Sequence, residues 1–316
     1  MIDCALVVVA YDSARDVPQL LGTAADAAGG LSWRAVVVDN AAEAALAGAL
    51  APWPEASLVE PGRNLGYSGG LNAGLRAAGP SRFVAFLNPD LTLEPGSLEA
   101  LVSALADSPD AAAAVPAIRD EHGAVRRSLR REPTILRALG EALFGDRWAG
   151  RPAALAEVVR GAGDYCRAHP VDWATGAALL VRREVADAVG EWDAETFFLY
   201  SEEVDYCRRI RDRGHSILFV PDAVVRHRES GSGSAPALDA LLEVNKVRYY
   251  RKWHSAPAAA LFALVAVLNS ALRPHRAGHR AALAALLSRS ARAALPSASS
   301  ASVQEIPGTA GAQGAS

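Results

Sequence analysis

The sequence predicts an α/β fold in which a mostly parallel sheet is flanked by helices, followed by a C-terminal helical extension. From Cys4 to about Ile118, short apolar runs rich in valine alternate with alanine- and leucine-rich helical patterns. This alternation is typical of βαβ units. Nearly every position in the runs is apolar, as in strands that helices cover on both faces. With 316 residues, the chain is long enough to bury a sizeable core.

Five strands are predicted in this first part of the chain. They are Ala5 to Ala10, Ala35 to Val38, Ser57 to Glu60, Phe83 to Leu87 and Ala112 to Ile118. Ligands of open parallel sheets bind outside the carboxyl ends of the strands. The residues that follow these ends are polar, and they are Tyr11-Asp12-Ser13, Asp39-Asn40, Pro61-Gly62-Arg63-Asn64 and Asn88-Pro89-Asp90. We therefore expect one polar edge of the sheet where a ligand binds.

The second part of the chain has a less regular pattern. Between Arg119 and Pro170, arginine, proline and glycine are frequent, and only a helix near Ile135 to Leu143 is predicted. A strand ATGAALLV, a short helix RREVADAVG and an aromatic turn EWDAETFFLY follow. The next helix begins at Ser201 and ends at Gly214. Two short strands, SILFVP and AVVRHR, then precede a Gly- and Ser-rich segment.

Composition and length of the apolar runs limit the partners and the location of the protein. A net charge of -3 provides no basic field for a nucleic-acid backbone, so we expect no nucleic-acid partner. Three widely spaced cysteines indicate neither a disulfide framework nor a zinc site. The N-terminus has an acidic residue where a signal peptide has positive charge, which predicts a cytoplasmic protein.

We expect a catalytic domain over residues 1–234, a helical extension over 235–290 and a disordered tail over 291–316. The apolar segment Ala258 to Leu272 is shorter than the roughly 20 residues that span a bilayer. Two interpretations remain open for it. It contacts the inner face of the membrane peripherally, or it packs against the catalytic domain or a second subunit in a homo-oligomer.

The motif FLNPDLTL puts a carboxylate, Asp90, at the end of an apolar strand. Alone, Asn-Pro-Asp is best interpreted as a turn. Two further features change that interpretation, because LYSEEVDYCRR contains Glu202 and Glu203, and His227 ends a later strand. Carboxylate oxygens and one imidazole suit a divalent metal, Mg²⁺ or Mn²⁺, held together with substrate phosphates.

The acidic residues at the start of the predicted helix have two interpretations. Because Ser201 is a suitable N-cap, Glu202 and Glu203 could simply favour the positive end of the helix. Alternatively, adjacent carboxylates raise one another's pKa, which suits a base that takes a hydroxyl proton. Asp205 has the spacing of an ordinary helix-surface ion pair with Arg208 and Arg209.

The segment GRNLGYSGGLNAGLRAA predicts a glycine-rich loop leading into a helix, which favours phosphate binding. It contains neither a P-loop nor a dinucleotide-binding fingerprint. GYSGG matches the GxSxG motif of hydrolases, with Ser68 as the nucleophile. Because no strand immediately precedes Ser68, a serine hydrolase is only an alternative hypothesis.

Six segments, taken in their order along the chain, resemble the family 2 inverting glycosyltransferases, particularly a rhamnosyltransferase-like branch. They are VVVAYDS, VVVDN, NLGYSGGLNAGL, FLNPDLTL, the WATGAALLV to RIRDRGH segment and VRH. The resemblance covers roughly Ala5 to Arg228. It implies a GT-A-type fold, a Rossmann-like sheet with a nucleotide-sugar half and an acceptor half.

The resemblance also implies roles for individual residues. Glu203 matches the catalytic base and Glu202 is its neighbour, while Asp90 and His227 match metal ligands. The residues implied in donor binding are Tyr11, Asp39, Asn64, Gly70, Asn72, Asn88 and Asp90. Those implied in acceptor binding are Trp173, Thr175, Gly176, Trp192 and Tyr200. In two places the chain departs from the pattern, since Asn88 replaces an acid and Glu203 stands where aspartate is frequent.

The expected reaction is a metal-assisted single displacement that inverts the anomeric configuration. The resemblance suggests dTDP-L-rhamnose as the nucleotide-sugar donor and a saccharide or lipid-linked acceptor. One alternative is a non-catalytic relative that binds a nucleotide sugar, which would need no base. Another is a scaffold that binds partners through its helical extension.

Overall fold

The computed structural model describes residues 1–228 and 235–297. The first part contains β1 (Ile2–Ala10), α1 (Val17–Ala28), β2 (Trp33–Asp39), α2 (Ala44–Leu50), β3 (Ala56–Val59), α3 (Gly66–Ala77), β4 (Ser81–Leu87), β5 (Leu91–Leu93), α4 (Ser97–Ala106) and β6 (Ala111–Arg119). All five predicted strands are therefore present, as β1, β2, β3, β4 and β6.

The second part continues with β7 (Leu129–Arg130), α5 (Ile135–Phe144), β8 (His169–Val171), β9 (Trp173–Ala174), β10 (Ala178–Arg182), α6 (Arg183–Val189), α7 (Glu202–Arg211) and β11 (Ser216–His227). Two single turns of 3₁₀ helix, Ala153–Leu155 and Ala162–Tyr165, lie between α5 and β8. The C-terminal helices are α8 (Pro236–Trp253), α9 (Ala256–Ala271), α10 (Ala277–Leu287) and α11 (Arg289–Ala293).

The main sheet has nine strands and is mostly parallel. Its order is β3-β2-β1-β4-β10-β6-β11-β5, and β8 pairs with β11. Strands β1 to β4, β6 and β11 run in one direction, whereas β10, β5 and β8 run antiparallel to their neighbours. The carboxyl ends of β1, β2, β4 and β11 consequently meet at one edge, as the sequence predicted.

Helices cover both faces of the sheet. Alternate residues of β1 belong to different cores, since Leu6 and Val8 pack with α1 and α4 on one side, while Val7 and Val9 pack with α3 on the other. All four side chains are at most 6% exposed. Burial on both sides explains why the run has no period-two alternation.

Helix α3 lies unusually close to the sheet, and its glycines allow this. A Cβ atom on Gly70 would lie 2.7 Å from Val9 Cγ1, and one on Gly74 would lie 2.5 Å from Val7 Cγ1. As predicted, the glycine-rich loop leads into a helix, which begins at Gly66. Within the helix, Gly70 and Gly74 allow close packing against β1.

Two strand predictions were wrong. SILFVP and AVVRHR form one strand, β11, with an irregularity in its register between Val220 and Val224. The segment ATGAALLV is not one strand, because β9 ends at Ala174 and β10 begins at Ala178. The break matters because residues 175 to 177 turn toward the polar edge of the sheet.

The helical extension packs on the region of α7. Leu241 and Tyr249 of α8 are at most 1% exposed, and the Tyr249 ring belongs to the same core as Tyr206 of α7. In the described part of the chain, no helix combines the length and the apolar character that crossing a membrane requires. The predicted boundary at residue 234 and most of the predicted tail lie outside the described residues.

Candidate active site

The end of β4 and the end of β11 bring Asp90 and His227 together. Asn88 follows β4, and its backbone N–H donates to the carbonyl of Ala177 at 2.9 Å. Directly after Asp90 the chain enters β5, whose Leu91 pairs with His227 in the sheet. His227 Nε2 consequently lies 3.0 Å from Asp90 Oδ1 and 3.5 Å from Asn88 Nδ2.

Tyr67 connects this pair of residues with the other side of the edge. Its hydroxyl lies 2.9 Å from Asn88 Oδ1 and 3.2 Å from the carbonyl oxygen of Gly176. Gly176 in turn faces Glu203, since a Cβ atom on Gly176 would lie 3.6 to 3.8 Å from the Glu203 side chain. A continuous series of contacts therefore runs from His227 to Glu203.

Helix α7 begins with the two glutamates. Tyr200 and Ser201, just before it, have backbone φ angles of 71° and 69°, which residues other than glycine rarely adopt. Asn245 of α8 stabilises this turn because its amide donates to the carbonyls of Leu199 and Tyr200 at 2.8 and 3.1 Å. The turn directs Glu203 toward Gly176, and Glu202 is 5% exposed.

Burial determines the electrostatics of the two glutamates. It raises the pKa of Glu202 well above its ordinary value, and the negative charge of Glu203 raises it further. Burial also raises the pKa of Glu203, against the effect of nearby backbone N–H groups and Arg130. One carboxylate oxygen of each has no hydrogen-bond partner among the described residues. Both groups therefore hold protons more tightly than a solvated glutamate does.

A small cavity opens beside Glu203. Tyr67, Thr175, Gly176 and Trp192 line it together with the Glu203 side chain. Burial raises the pKa of Tyr67 well above its ordinary value, and so do the charges of Glu202, Glu203 and Asp90. Its hydroxyl thus stays protonated and is available as a donor inside the site.

The family of the chain follows from comparison with known proteins. A family model described as glycosyltransferase-like family 2 matches residues 3–246. The chain belongs to this family. The matched range contains all the residues of the polar edge and ends within α8.

Curated relatives agree with this family. The N-acetylglucosaminyl-diphospho-decaprenol L-rhamnosyltransferase of Mycobacterium tuberculosis is 34% identical over 196 residues, which cover 58% of this chain and 63% of that protein. The low-salt glycan biosynthesis hexosyltransferase Agl10 of Haloferax volcanii is 28% identical over 216 residues, which cover 66% and 62%. The chain thus spans less than two thirds of the length of these relatives.

Solved structures share the fold. GalNAc-T7 with UDP, GalNAc and Mn²⁺ superposes with a TM-score of 0.52 and 16% identity over 79% of this chain and 50% of that one. The mannosyltransferase PcManGT from Pyrobaculum calidifontis, in complex with GDP-Man and Mn²⁺, gives 0.53 and 18% over 93% and 80%. The expectation of a GT-A-type fold is confirmed.

Three of the residues expected to bind donor lie at the end of β2 or in the loops after β1 and β3. The Asp39 carboxylate is 2% exposed and accepts the backbone N–H groups of Ala41 and Glu43 at 3.0 and 2.6 Å. Tyr11 is partly exposed beside it, at the end of β1. Asn64 Oδ1 accepts the N–H of Gly66 at 2.8 Å at the start of α3. Their contacts with a donor stay predictions for this family 2 member.

Gly70 and Asn72 lie inside α3, and the structure gives both a packing role. Gly70 lets the helix approach β1, as described above. The Asn72 amide donates to the Trp192 carbonyl and its oxygen accepts the Trp192 N–H, both at 2.8 Å. Asn72 therefore holds the aromatic turn against the helix. A direct contact of either residue with a donor stays a prediction.

Only some of the residues expected to bind acceptor line the cavity beside Glu203. Thr175, Gly176 and Trp192 line it. The Trp192 ring stacks on Tyr206 with centroids 4.0 Å apart. Trp173 is 8% exposed, and its indole N–H donates to the Arg131 carbonyl at 3.1 Å. Acceptor binding by these residues, and by Tyr200 in the strained turn, stays a prediction.

Two other interpretations were wrong. Asp205 is not on the surface, because it is fully buried and bonds the indole N–H of Trp253 at 2.9 Å as well as Arg209 at 3.0 Å. Arg208 pairs with Glu132 and Asp212 instead. Ser68 is fully buried in α3, and its hydroxyl has no hydrogen-bond partner among the described residues, which removes the serine hydrolase alternative.

Sequence reasoning missed Tyr67 and Arg130. Tyr67 stands next to Ser68 in the GYSGG motif, yet only the fold shows that its hydroxyl reaches Asn88 and Gly176. Arg130, in β7, lies close enough to Glu203 for its positive charge to oppose the rise in the pKa of that glutamate. It comes from the segment that had no assigned structure, and no local pattern identifies it.

Proposed function

We propose that this family 2 protein is a glycosyltransferase that transfers a sugar from a nucleotide-sugar donor to a hydroxyl group of an acceptor. One observation carries the proposal. A glutamate with a raised pKa, Glu203, lies beside a cavity and is connected through Gly176, Tyr67 and Asn88 to a carboxylate-imidazole pair. Such a site offers a base on one side and a group that interacts with phosphates on the other.

The proposed reaction is a single displacement. Glu203 takes the proton of the acceptor hydroxyl while the oxygen of that hydroxyl bonds to the anomeric carbon. The bond from that carbon to the diphosphate oxygen breaks, and the nucleoside diphosphate leaves, so the configuration inverts. Glu202 places a negative charge next to Glu203 when it is ionised and no charge when it is protonated. Tyr67 donates a hydrogen bond inside the site and orients Asn88.

The metal-binding part of the proposal is tested by the side chains available. In the ranges that the structure describes, no three His, Cys, Asp or Glu side chains are grouped to hold a metal alone. Asp90 and His227, with the amide of Asn88, fit Mg²⁺ or Mn²⁺ if donor phosphates complete the coordination. The ion would then stabilise negative charge on the leaving diphosphate. Because Asn88 is neutral, we expect weak metal binding without donor.

The donor and acceptor classes rest on the relatives. We propose dTDP-L-rhamnose as the donor and a saccharide or lipid-linked saccharide as the acceptor, because the Mycobacterium tuberculosis relative is named as a rhamnosyltransferase acting on a decaprenol diphosphate derivative. Tyr11, Asp39 and Asn64 are the proposed donor contacts at the carboxyl ends of the strands. Thr175, Gly176 and Trp192 are the proposed acceptor contacts nearest to Glu203.

The test separates base catalysis from donor binding. We expect Glu203→Gln to lower turnover by a factor of about 100 or more, the usual scale for loss of a general base. A panel of nucleotide sugars with Mn²⁺ should raise the melting temperature of this variant as much as that of the wild type, because a ligand that binds only the folded state stabilises it.

Glu184→Gln is the matched control, since Glu184 is exposed on α6, which follows the end of β10 that points away from the polar edge. It should leave both turnover and the thermal shift unchanged. Normal turnover in Glu203→Gln would remove the base from the proposal. A normal thermal shift together with no transfer by the wild type to any acceptor would instead favour the non-catalytic nucleotide-sugar-binding relative.

A further inference from the structure

The C-terminal helices carry an exposed helix face without a polar residue. Leu272, the C-cap of α9, is exposed together with seven residues of the helix, which are Ala256, Pro257, Ala260, Leu261, Leu264, Leu268 and Ala271. We call these residues the leucine face. Leu264 is 64% exposed, and Leu261 and Leu272 are each 49% exposed. Contiguous apolar surface of this kind marks an interaction site on a folded protein.

Helix α5 extends the leucine face on one side. Ile135 and Ala138 of α5 pack in the cluster that contains Phe262 of α9, so the two helices lie side by side. On its outer side α5 exposes Leu136 and Leu143, at 56% and 46%. Trp148, shortly after α5, is 44% exposed. Aromatic side chains of this type are frequent where protein meets the membrane-water interface.

An arginine-lined pocket flanks the opposite side of the leucine face. Ala263 and Val267 of α9 line this pocket together with Arg248, Arg251 and Arg292. Leu264 and Leu268 each follow a pocket residue directly, so they lie about 100° further around the helix. The pocket and the leucine face are therefore adjacent.

The positive charge in the pocket is not neutralised by a carboxylate of the described residues. Arg248 bonds the Asn245 side chain at 2.9 Å, and Arg292 bonds the carbonyls of Ala285 and Leu286 at 3.0 and 2.7 Å. Burial lowers the pKa of Arg248, and the like charge of Arg292 lowers it further. Guanidinium groups without a carboxylate suit phosphate oxygens.

The charge of the whole extension agrees with the pocket. Residues 235–297 contain nine Lys or Arg and only two Asp or Glu, a net charge of +7. The rest of the chain carries a net charge of -10, since the total is -3. Two copies of the extension placed face to face would bring like charges together. An anionic surface would instead be attracted to it.

We propose that the leucine face and the arginine-lined pocket form a docking surface for a bilayer that contains anionic phospholipids. The leucines contact the acyl region, and the arginines contact lipid phosphates. Arg248 bonds Asn245, which in turn holds Leu199 and Tyr200 before α7, so the docking surface is linked to the active-site turn by two successive side-chain contacts. A lipid-linked acceptor would then be presented at the surface to which the protein is bound.

Vesicle flotation of the full-length protein tests the proposal without any measurement of activity. Vesicles of phosphatidylcholine with phosphatidylglycerol should bind the protein, and added salt should weaken this binding because it screens exposed charges. Vesicles of phosphatidylcholine alone should bind it clearly less. Sugar transfer can fail while docking holds, and the reverse, so the two proposals are tested separately.

Two matched pairs of variants identify the surface. Leu264→Ser should weaken vesicle binding about tenfold, since burying a leucine side chain contributes roughly 1.5 to 3 kcal/mol. Val125→Ser, at another exposed apolar site, should leave binding unchanged. Arg251→Gln should weaken it about fivefold, the effect of about 1 kcal/mol for each basic residue near an anionic surface. Arg213→Gln, in the exposed turn after α7, should leave it unchanged.

Circular dichroism is used to check that all four variants are folded, and light scattering to measure their mass. The proposal is overturned if neutral and anionic vesicles bind equally, if no vesicle binds, or if Leu264→Ser and Arg251→Gln bind as the wild type does. It is also overturned if Leu264→Ser converts a dimer into a monomer while vesicle binding stays the same. In that case the leucine face belongs to a homo-oligomer interface.

Discussion

At the residue scale, the site depends on keeping two adjacent carboxylates out of water. Glu202 and Glu203 stand in the first turn of α7, where the helix dipole favours negative charge. Burial acts in the opposite direction and prevails, since the pKa of both groups is raised. The site therefore favours protonated carboxyl groups at acidic pH and accepts an unfavourable buried charge when they ionise.

Glu202→Gln should make the folded protein more stable at alkaline pH. A carboxyl group whose pKa is raised by folding binds its proton more tightly in the folded state, so stability falls as pH rises from the unfolded pKa through the folded one. Glutamine does not titrate, so the variant should lack this loss. Urea unfolding at about pH 5 and about pH 8 measures the gain in stability of the variant over the wild type, which should grow with pH.

Glu184→Gln, on the exposed side of α6, is the control for this measurement and should show no growing difference. A Glu202→Gln stability that follows the wild type at both pH values would contradict the raised pKa. Activity at neutral pH is a separate reading, because Glu202 is proposed to affect the environment of Glu203 and not to take the proton.

The residues that the sequence could identify are those whose chemistry is unusual for their local pattern. The sequence alone shows a carboxylate after a buried strand and a histidine at the end of another strand. These residues, Asp90 and His227, lie together in the fold. Asp205 was misread because its spacing to Arg209 is also that of a surface pair, whereas burial by Trp253 depends on a helix 48 residues away. Tyr67 was missed for the same reason.

At the scale of elements, Asp205 joins the catalytic helix to the C-terminal extension. Its carboxylate bonds Arg209 within α7, and Trp253 and Lys252 at the end of α8. The side chain is 1% exposed, so these partners replace nearly all its hydration. Such a buried group is stabilising only while all its partners are present.

Asp205→Ala should therefore lower the free energy of unfolding by about 3 to 5 kcal/mol, because it leaves the Trp253 indole N–H and the Arg209 guanidinium without their carboxylate. Asp212→Ala is the matched control. Asp212 also pairs with an arginine of α7 in the i, i+4 sense, but its side chain is 47% exposed. Its loss should change stability by at most about 1 kcal/mol. Urea denaturation of the two variants measures the difference, and equal effects would contradict the argument.

Elements were predictable where local pattern determined them. Valine-rich strands and amphipathic helices of the first part follow from periodicity. Between Arg119 and Pro170, the structure depends instead on distant contacts, such as Glu132 with Arg208 and with Tyr249. The strand β11 was divided in two because proline and aspartate interrupt it, although the sheet tolerates them at an irregularity in its register.

At the scale of the whole molecule, side-chain contacts join the predicted catalytic part to the predicted extension. Asn245 of α8 holds the turn that precedes Glu202, and the Tyr249 hydroxyl contacts Glu132 of the middle segment. The family match itself ends at residue 246, inside α8. We infer that α8 is a structural part of the active-site half, on which α9 and α10 pack from outside.

A chain that ends at residue 234 should consequently fail to fold cooperatively. It would expose the core surface that Leu241 and Tyr249 cover, and Asp205 would lose Trp253 and Lys252. A chain that ends at Ser255 keeps α8 and should unfold cooperatively, with a lower urea midpoint than the full-length protein because α9 and α10 no longer cover α8. Far-UV circular dichroism and a dye for exposed apolar surface report both properties. A cooperative transition of the 234-residue chain at the midpoint of the full-length protein would show that α8 is dispensable, and would restore the boundary at residue 234 as a true domain limit.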